Sequence, residues 1–310
     1  MKEKRYCLLT NDVEEHSIWF NSLRMETGNL VKEEGIPLLL DLYRKYQIKA
    51  TFFFTGVFAE TFPSVVTMVA KGGHEIGSHG YSHEVSQAFD VLNFEEQVKH
   101  LSKSRKILED LSGRAVISFR APALRINGDT ALALRETGFK IDSSVASQRF
   151  DYFLSFGGLS KLKWLTSPRV PYRTKPDTLF ERGAGGIVEI PISALNVPYI
   201  GTTMRIFPHI TKMLRMVLHV ENGMNAKPIV FLIHPNELID ESKEPRIIAR
   251  RTKNRVSSFL RDYVRSVLKA KNLGLPAARL YEDQIKYFTE RNYRFATLTE
   301  YCTRTNLLKD

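Results

Sequence analysis

Two histidines four residues apart, His79 and His83, close the stretch Gly72-Gly-His-Glu-Ile-Gly-Ser-His-Gly-Tyr-Ser-His83. On a helical turn that spacing sets both imidazoles on one face, where they can chelate one metal ion. Asp12 and Glu14 stand two apart, and in extended backbone such residues project to the same side. One of these carboxylates would complete a two-histidine, one-carboxylate set, the ligand class of hydrolytic zinc sites that leave a position open for water. The other could take that water's proton. Arg120, in Ser118-Phe-Arg-Ala-Pro122, is a fixed cation able to hold a carboxylate in two-point contact and keep it ionised. His234, in Phe231-Leu-Ile-His-Pro-Asn-Glu237, is the natural candidate to protonate a leaving group. Asp142, followed by Ser143 and Ser144, could anchor the second nitrogen of a histidine or cap a turn.

The elements that must position these groups alternate between strand and helix. Short apolar runs predict strands at Tyr6–Thr10, Ala50–Phe54, His74–Ser78, Val116–Phe119, Phe139–Ile141, Gly186–Ile190, Pro228–Ile233 and Phe295–Thr297. Helical spacing predicts helices at Gly35–Tyr46, Phe62–Lys71, Gly128–Thr137 and Pro276–Arg291. A further helix from Asn93 to about Leu111 opens on a capping-box pattern, Asn93 with Glu96. Thr203 to Val220 reads as a basic, Met-rich helix, suited either to an interface with lipid or to packing on the core with a solvated charged face. Such alternation implies an α/β fold with a parallel sheet, open or closed into a barrel. Asp12, Glu14, His79, His83, Arg120, Asp142 and His234 each fall just past a predicted strand end, so a parallel sheet would collect them at one face.

Length and composition bound the rest. With 310 residues, 43% hydrophobic and 25% charged, the chain has an ordinary globular composition and material for one large core, so one domain over 1–310 is expected. No run approaches the roughly 18 apolar residues of a membrane span, and the N-terminus lacks a secretory apolar region, which makes a cytoplasmic location the expectation. Cys7 and Cys302 have no paired spacing and suggest neither a disulfide framework nor a thiolate metal site. The net charge of +11 implies attraction to something anionic, and Lys243 to Lys271 alone carries +8. No nucleic-acid-binding motif or glycine-rich phosphate loop accompanies that charge, so no nucleic-acid partner is expected.

The whole pattern resembles the polysaccharide deacetylases, also called the NodB-homology or family 4 carbohydrate esterase enzymes, over roughly residues 6–297. The resemblance is strongest at Gly73-His-Glu-Ile-Gly-Ser-His-Gly-Tyr-Ser-His83, close to the family's G-H-E-x-x-x-H-[ST]-x-x-H segment with its two metal histidines. Phe119-Arg-Ala-Pro122 is similar to the R-x-P motif whose arginine orients the base, and Phe231-Leu-Ile-His234 to the late motif supplying the catalytic acid. Two motifs depart from the pattern. Thr10-Asn-Asp-Val-Glu14 lacks the adjacent aspartates of T-F-D-D and resembles the D-x-E variants of one branch, which assigns the base to Asp12 and the metal carboxylate to Glu14. Ile141-Asp-Ser-Ser144 lacks the usual tryptophan beside Asp142.

The resemblance implies a distorted (β/α) barrel, with insertions expected here at about 150–185, 200–225 and 240–275. It implies one divalent metal ion on Glu14, His79 and His83, zinc first, with cobalt, nickel or manganese able to occupy the same ligands. It also implies hydrolysis of an N-acyl group, usually N-acetyl, from an amino sugar, with Asp12 as base, His234 as acid, and Arg120 and Asp142 as supporting catalytic groups. A cytoplasmic member would act on an intermediate of surface polysaccharide or lipopolysaccharide assembly, which a lipid carrier could hold at the inner membrane face. The basic segments would then give peripheral membrane contact. The alternatives are a deformylase of a lipid-linked formamido sugar and a non-catalytic carbohydrate-binding barrel.

Overall fold

The computed structural model describes residues 5–149, 159–246 and 263–309. Part of the first expected insertion, and Arg250, Arg251, Lys253 and Arg255 of the basic segment, lie outside the described residues. One ten-stranded sheet organises the rest. Its strands are β1 (Tyr6–Val13), β2 (Thr51–Phe54), β3 (Glu75–Ser78), β4 (Ser118–Phe119), β5 (Ile141–Asp142), β6 (Tyr172–Lys175), β7 (Thr178–Arg182), β8 (Val188–Glu189), β9 (Ile229–Ile233) and β10 (Arg294–Phe295). They pair in the order β9-β1-β2-β3-β4-β5-β8-β6-β7, with β10 also on β1. Pairing is parallel from β9 through β8 and antiparallel from β8 to β7. The strands curl into a half-barrel with helices outside, a distorted (β/α) barrel.

Side-chain alternation divides each strand between two apolar layers. Cys7, Leu9, Phe52 and Phe54 belong to the larger cluster, packed against the helices. Leu8, Phe53, Ile141, Val188 and Val230 join the smaller one, with Leu298, Tyr301 and Cys302 of the last helix, Leu298–Arg304. That smaller layer lies on the concave side. Thr10 and Asp12 continue the Leu8 face toward the C-terminal end of β1, so polar groups follow the apolar layer on the same side of the strand. Cys7 and Cys302 are buried free thiols.

Several elements differ from the sequence expectation in instructive ways. β1 runs on to Val13, so Asp12 lies within a strand, paired with Phe53, and not in a following turn. Met25–Gly35 is helical ahead of Ile36–Lys45, although Gly28 and Gly35 argue against it locally. A Cβ at Gly28 would strike the Phe62 ring and one at Gly35 the carbonyl of Pro235, so tight packing explains both glycines. The expected basic helix is two helices, Gly201–Ile206 and Pro208–Asn225, because Pro208 starts the second where its missing N–H costs nothing. Asn93 caps Phe94–Ser112 with the reciprocal bonds expected, Asn93 Oδ1 accepting from Glu96 N at 3.0 Å and Glu96 Oε2 from Asn93 N at 3.0 Å.

Candidate active site

At the C-terminal end of the half-barrel the loop after β3 carries His79 and His83, but not on a helical turn. Gly80 takes φ +72°, and the carbonyls of Gly80 and Tyr81 accept from Gly56 N (3.0 Å) and Val57 N (2.9 Å), so neighbouring backbone replaces helical bonding. The two rings still meet, with centroids 5.7 Å apart. His79 Nδ1 lies 2.8 Å from the carbonyl oxygen of Arg120. A carbonyl can only accept, so Nδ1 carries the proton and Nε2 presents its lone pair. Burial lowers the His79 pKa to about 4, which keeps the ring neutral.

Glu14, one residue past β1, brings Oε2 to 2.9 Å from His83 Nε2 and 4.0 Å from His79 Nε2. Burial works against its charge, but the charge and hydrogen bonding of His83, with the charges of His234 and His16, hold its carboxyl far below the usual range. Ligand atoms of Glu14, His79 and His83 all lie within 4.8 Å of one another. His79 Nε2 is buried and has no hydrogen-bond partner among the described residues. An orphaned lone pair beside a carboxylate and a second imidazole fits a divalent ion, which these three side chains would hold.

Asp12 sits beside that cluster. Its Oδ1 accepts from Arg120 Nη1 at 2.9 Å, and its Oδ2 lies 3.8 Å from His79 Nε2 and 3.9 Å from His234 Nε2. Arg120 is wholly buried, stacked 4.5 Å over the Phe53 ring. It also donates from Nη1 to Thr10 Oγ1 (2.9 Å), from Nε to the Ser143 carbonyl (2.9 Å) and from Nη2 to Ser143 Oγ (2.8 Å). The guanidinium thus ties the ends of β1 and β5 together beneath the site.

His234 follows β9, and its Nδ1 lies 3.1 Å from Glu237 Oε1. Burial would lower its pKa, but the Glu237 hydrogen bond and the charges of Asp12, Glu237 and Glu14 outweigh it and raise it to about 9. Glu237 is buried and held by Arg205 Nε, 2.6 Å from its Oε2. Burial opposes its charge too, yet Arg205 and His234 lower its pKa to about 2. Gly201 makes room, since a Cβ there would collide with this carboxylate.

Asp142 stands apart. Ile141 faces the concave layer, so the next residue points to the other side of the sheet. There Asp142 accepts from Ser144 Oγ (2.6 Å) and Ser144 N (3.2 Å). Burial raises its pKa, and burial together with the charge of Asp142 raises that of Glu189 further. Neither His79 nor His234 relies on Asp142, since their Nδ1 atoms face the Arg120 carbonyl and Glu237. Of its two sequence readings, the turn cap is the one present. The anchor is instead Glu237, whose place three residues after His234, behind a proline, is a capping pattern that could have signalled it. Arg205 gave no such sign.

Comparison with known proteins bears on part of the chain and on its fold. Residues 12–141 match the model of the polysaccharide deacetylase family. A peptidoglycan deacetylase of Helicobacter pylori is 39% identical over 131 residues, 42% of this chain and 44% of that protein. A peptidoglycan-N-acetylglucosamine deacetylase of Bacillus cereus is 38% identical over 89 residues, 29% of this chain and 31% of the relative. The chain therefore spans less than half the length of these relatives. In fold, it superposes with TM-score 0.63 and 18% identity on a Mycobacterium smegmatis structure assigned to the polysaccharide deacetylases, covering 100% of this chain and 93% of that one. The allantoinase Puue follows at TM-score 0.54 and 16% identity, covering 94% and 88%. The likeness to the polysaccharide deacetylase family thus rests on residues 12–141, less than half of the chain, and the solved structures share its fold.

Proposed function

We propose that the protein is a metal-dependent hydrolase that removes the N-acetyl group from an amino sugar of a cell-surface polysaccharide or its precursor. The observation that carries this reading is the position of Asp12 Oδ2, within 4 Å of both His79 Nε2 and His234 Nε2 and buried. A base and an acid on either side of one small space are what amide hydrolysis requires. A divalent ion on Glu14, His79 and His83, zinc being the first candidate, would supply Lewis-acid stabilisation of developing negative charge.

The chain's own groups do the rest. Arg120 occupies Asp12 Oδ1, leaving Oδ2 turned toward the space between the histidines, where it takes the proton of the attacking water. His234, protonated below about pH 9, delivers a proton to the departing amine from Nε2, while Glu237 fixes the ring through Nδ1. Arg205 in turn fixes Glu237. Similarity over part of the chain to a peptidoglycan deacetylase and a peptidoglycan-N-acetylglucosamine deacetylase supports an acetamido sugar as substrate.

Mass spectrometry of N-acetylated and N-formylated amino-sugar oligomers incubated with metal-loaded protein tests the proposal. Loss of the acetyl mass, abolished by a chelator, is expected. Loss of only the formyl mass would move the assignment to a deformylase, and binding without hydrolysis would reduce the site to a carbohydrate-binding one.

A further inference from the structure

The helix Pro208–Asn225 packs Leu214 and Leu218 into the core, yet its outward face is largely apolar too. Thr211, Arg215 and Asn222 are buried beside those leucines. Thr211 Oγ1 donates to the Phe207 carbonyl, Arg215 reaches Asp283 and Gln284 and stacks 3.9 Å over the Tyr287 ring, and Asn222 Nδ2 donates to the Lys227 carbonyl at 2.6 Å. On the outward face Ile210, Met213, Val217, Val220 and Met224 follow one another at spacings of three or four, with Met216 beside them and His209 exposed on the same face. These side chains are exposed, Met213 at 63%, Val220 at 60% and Met224 at 83%. An apolar helix face with polar residues at its edges is the form in which a helix rests on a lipid interface.

We propose that this face docks on an anionic lipid bilayer, lying in the headgroup and acyl boundary with the helix axis parallel to the surface. Charge selects this occupant. The chain carries a net +11, so a second copy is repelled where an anionic surface is attracted. The stripe also falls short of a dimer interface: about 25 Å long and about 10 Å wide from helix geometry, it offers about 250 Å², against about 800 Å² per partner in a standard interface. Lys212, next to Met213 on the same helix and 48% exposed, pairs with Asp283 at 3.7 Å at the edge of the stripe, where a headgroup phosphate could replace that carboxylate. Unbranched methionines adapt to a fluid partner. No helix among the described residues is long and apolar enough to cross the membrane, which leaves a peripheral contact. The inference is independent of the deacetylase reading, although a membrane-held enzyme would suit a lipid-linked sugar.

Flotation of the full chain with vesicles tests it, using phosphatidylglycerol mixed with phosphatidylethanolamine against phosphatidylcholine alone, at low and high salt. The protein should float with the anionic vesicles at low salt and be released as salt rises. Met213→Glu combined with Val220→Glu should lower partitioning at least tenfold, and Met213→Trp should raise it, a gain that misfolding does not explain because the helix secondary structure is checked by circular dichroism in each variant. His79→Ala should float like the parent, which separates this result from failure of the catalytic reading. Equal flotation of parent and double-glutamate variant would overturn the proposal, as would no flotation at all. A dimer, seen by light scattering and dissolved by the glutamates, would overturn it in favour of a second copy.

Discussion

Arg120 Nη1 and Asp12 Oδ1 meet at 2.9 Å across the concave side of the sheet, from strands separated by two others. The contact decides which oxygen of Asp12 is available: with Oδ1 occupied, Oδ2 faces His79 and His234. Both partners are buried, so removing one leaves the other uncompensated. Arg120→Met should destabilise the fold by about 3–5 kcal/mol, the usual range for breaking a buried pair. Urea unfolding would measure it. Arg120→Lys should recover part of the stability and little turnover, because a point ammonium cannot hold Thr10, Asp12 and Ser143 together.

The metal set predicts a stoichiometry. One divalent ion per chain should bind the parent, and His79→Ala or His83→Ala should each lose it, as read by elemental analysis after dialysis. Full metal content in both variants would remove these histidines from the site.

His234 sets an alkaline limit. Its folded-state pKa is raised from 6.5 to about 9, because the Glu237 bond and the neighbouring carboxylates outweigh the lowering by burial. The imidazolium therefore contributes stability in full below about 6.5, and that contribution is lost as pH rises through about 9. Turnover should fall over the same upper range as the acid is lost. Glu237→Gln should shift the falling limb toward lower pH while leaving metal content unchanged, in a pH profile of kcat. A profile unchanged by the substitution would separate Glu237 from the acid.

Much of this site was legible because strand ends concentrate chemistry whatever their exact bounds. Asp12, Glu14, His79, His83, Arg120 and His234 could be gathered from short apolar runs alone, since parallel pairing brings the ends together. What failed was local direction. The spacing of His79 and His83 suggested a helix, but Gly80 turns the chain and Gly56 and Val57 pin it as a loop. Asp142 shares the sheet edge with Arg120 yet points away, because a two-residue strand is too short for its alternation to be read from sequence. Arg205 enters from a different helix, and the bond that gives it a role, to Glu237, exists only after folding. For Pro208–Asn225 the sequence left lipid contact and core packing as alternatives, because apolar residues occupy both faces, Leu214 and Leu218 inward and Met213, Val220 and Met224 outward.

The division of labour between Asp12 and Glu14 is the account's central claim, and paired metal and turnover measurements on Asp12→Asn and Glu14→Gln test it most directly. Asp12→Asn should keep its metal and lose turnover by about 10²–10⁴, the usual contribution of a general base. Glu14→Gln should lose metal affinity, because Glu14 is the carboxylate that gathers with both imidazoles. Metal loss from Asp12→Asn with retention in Glu14→Gln would contradict the account and exchange the two roles.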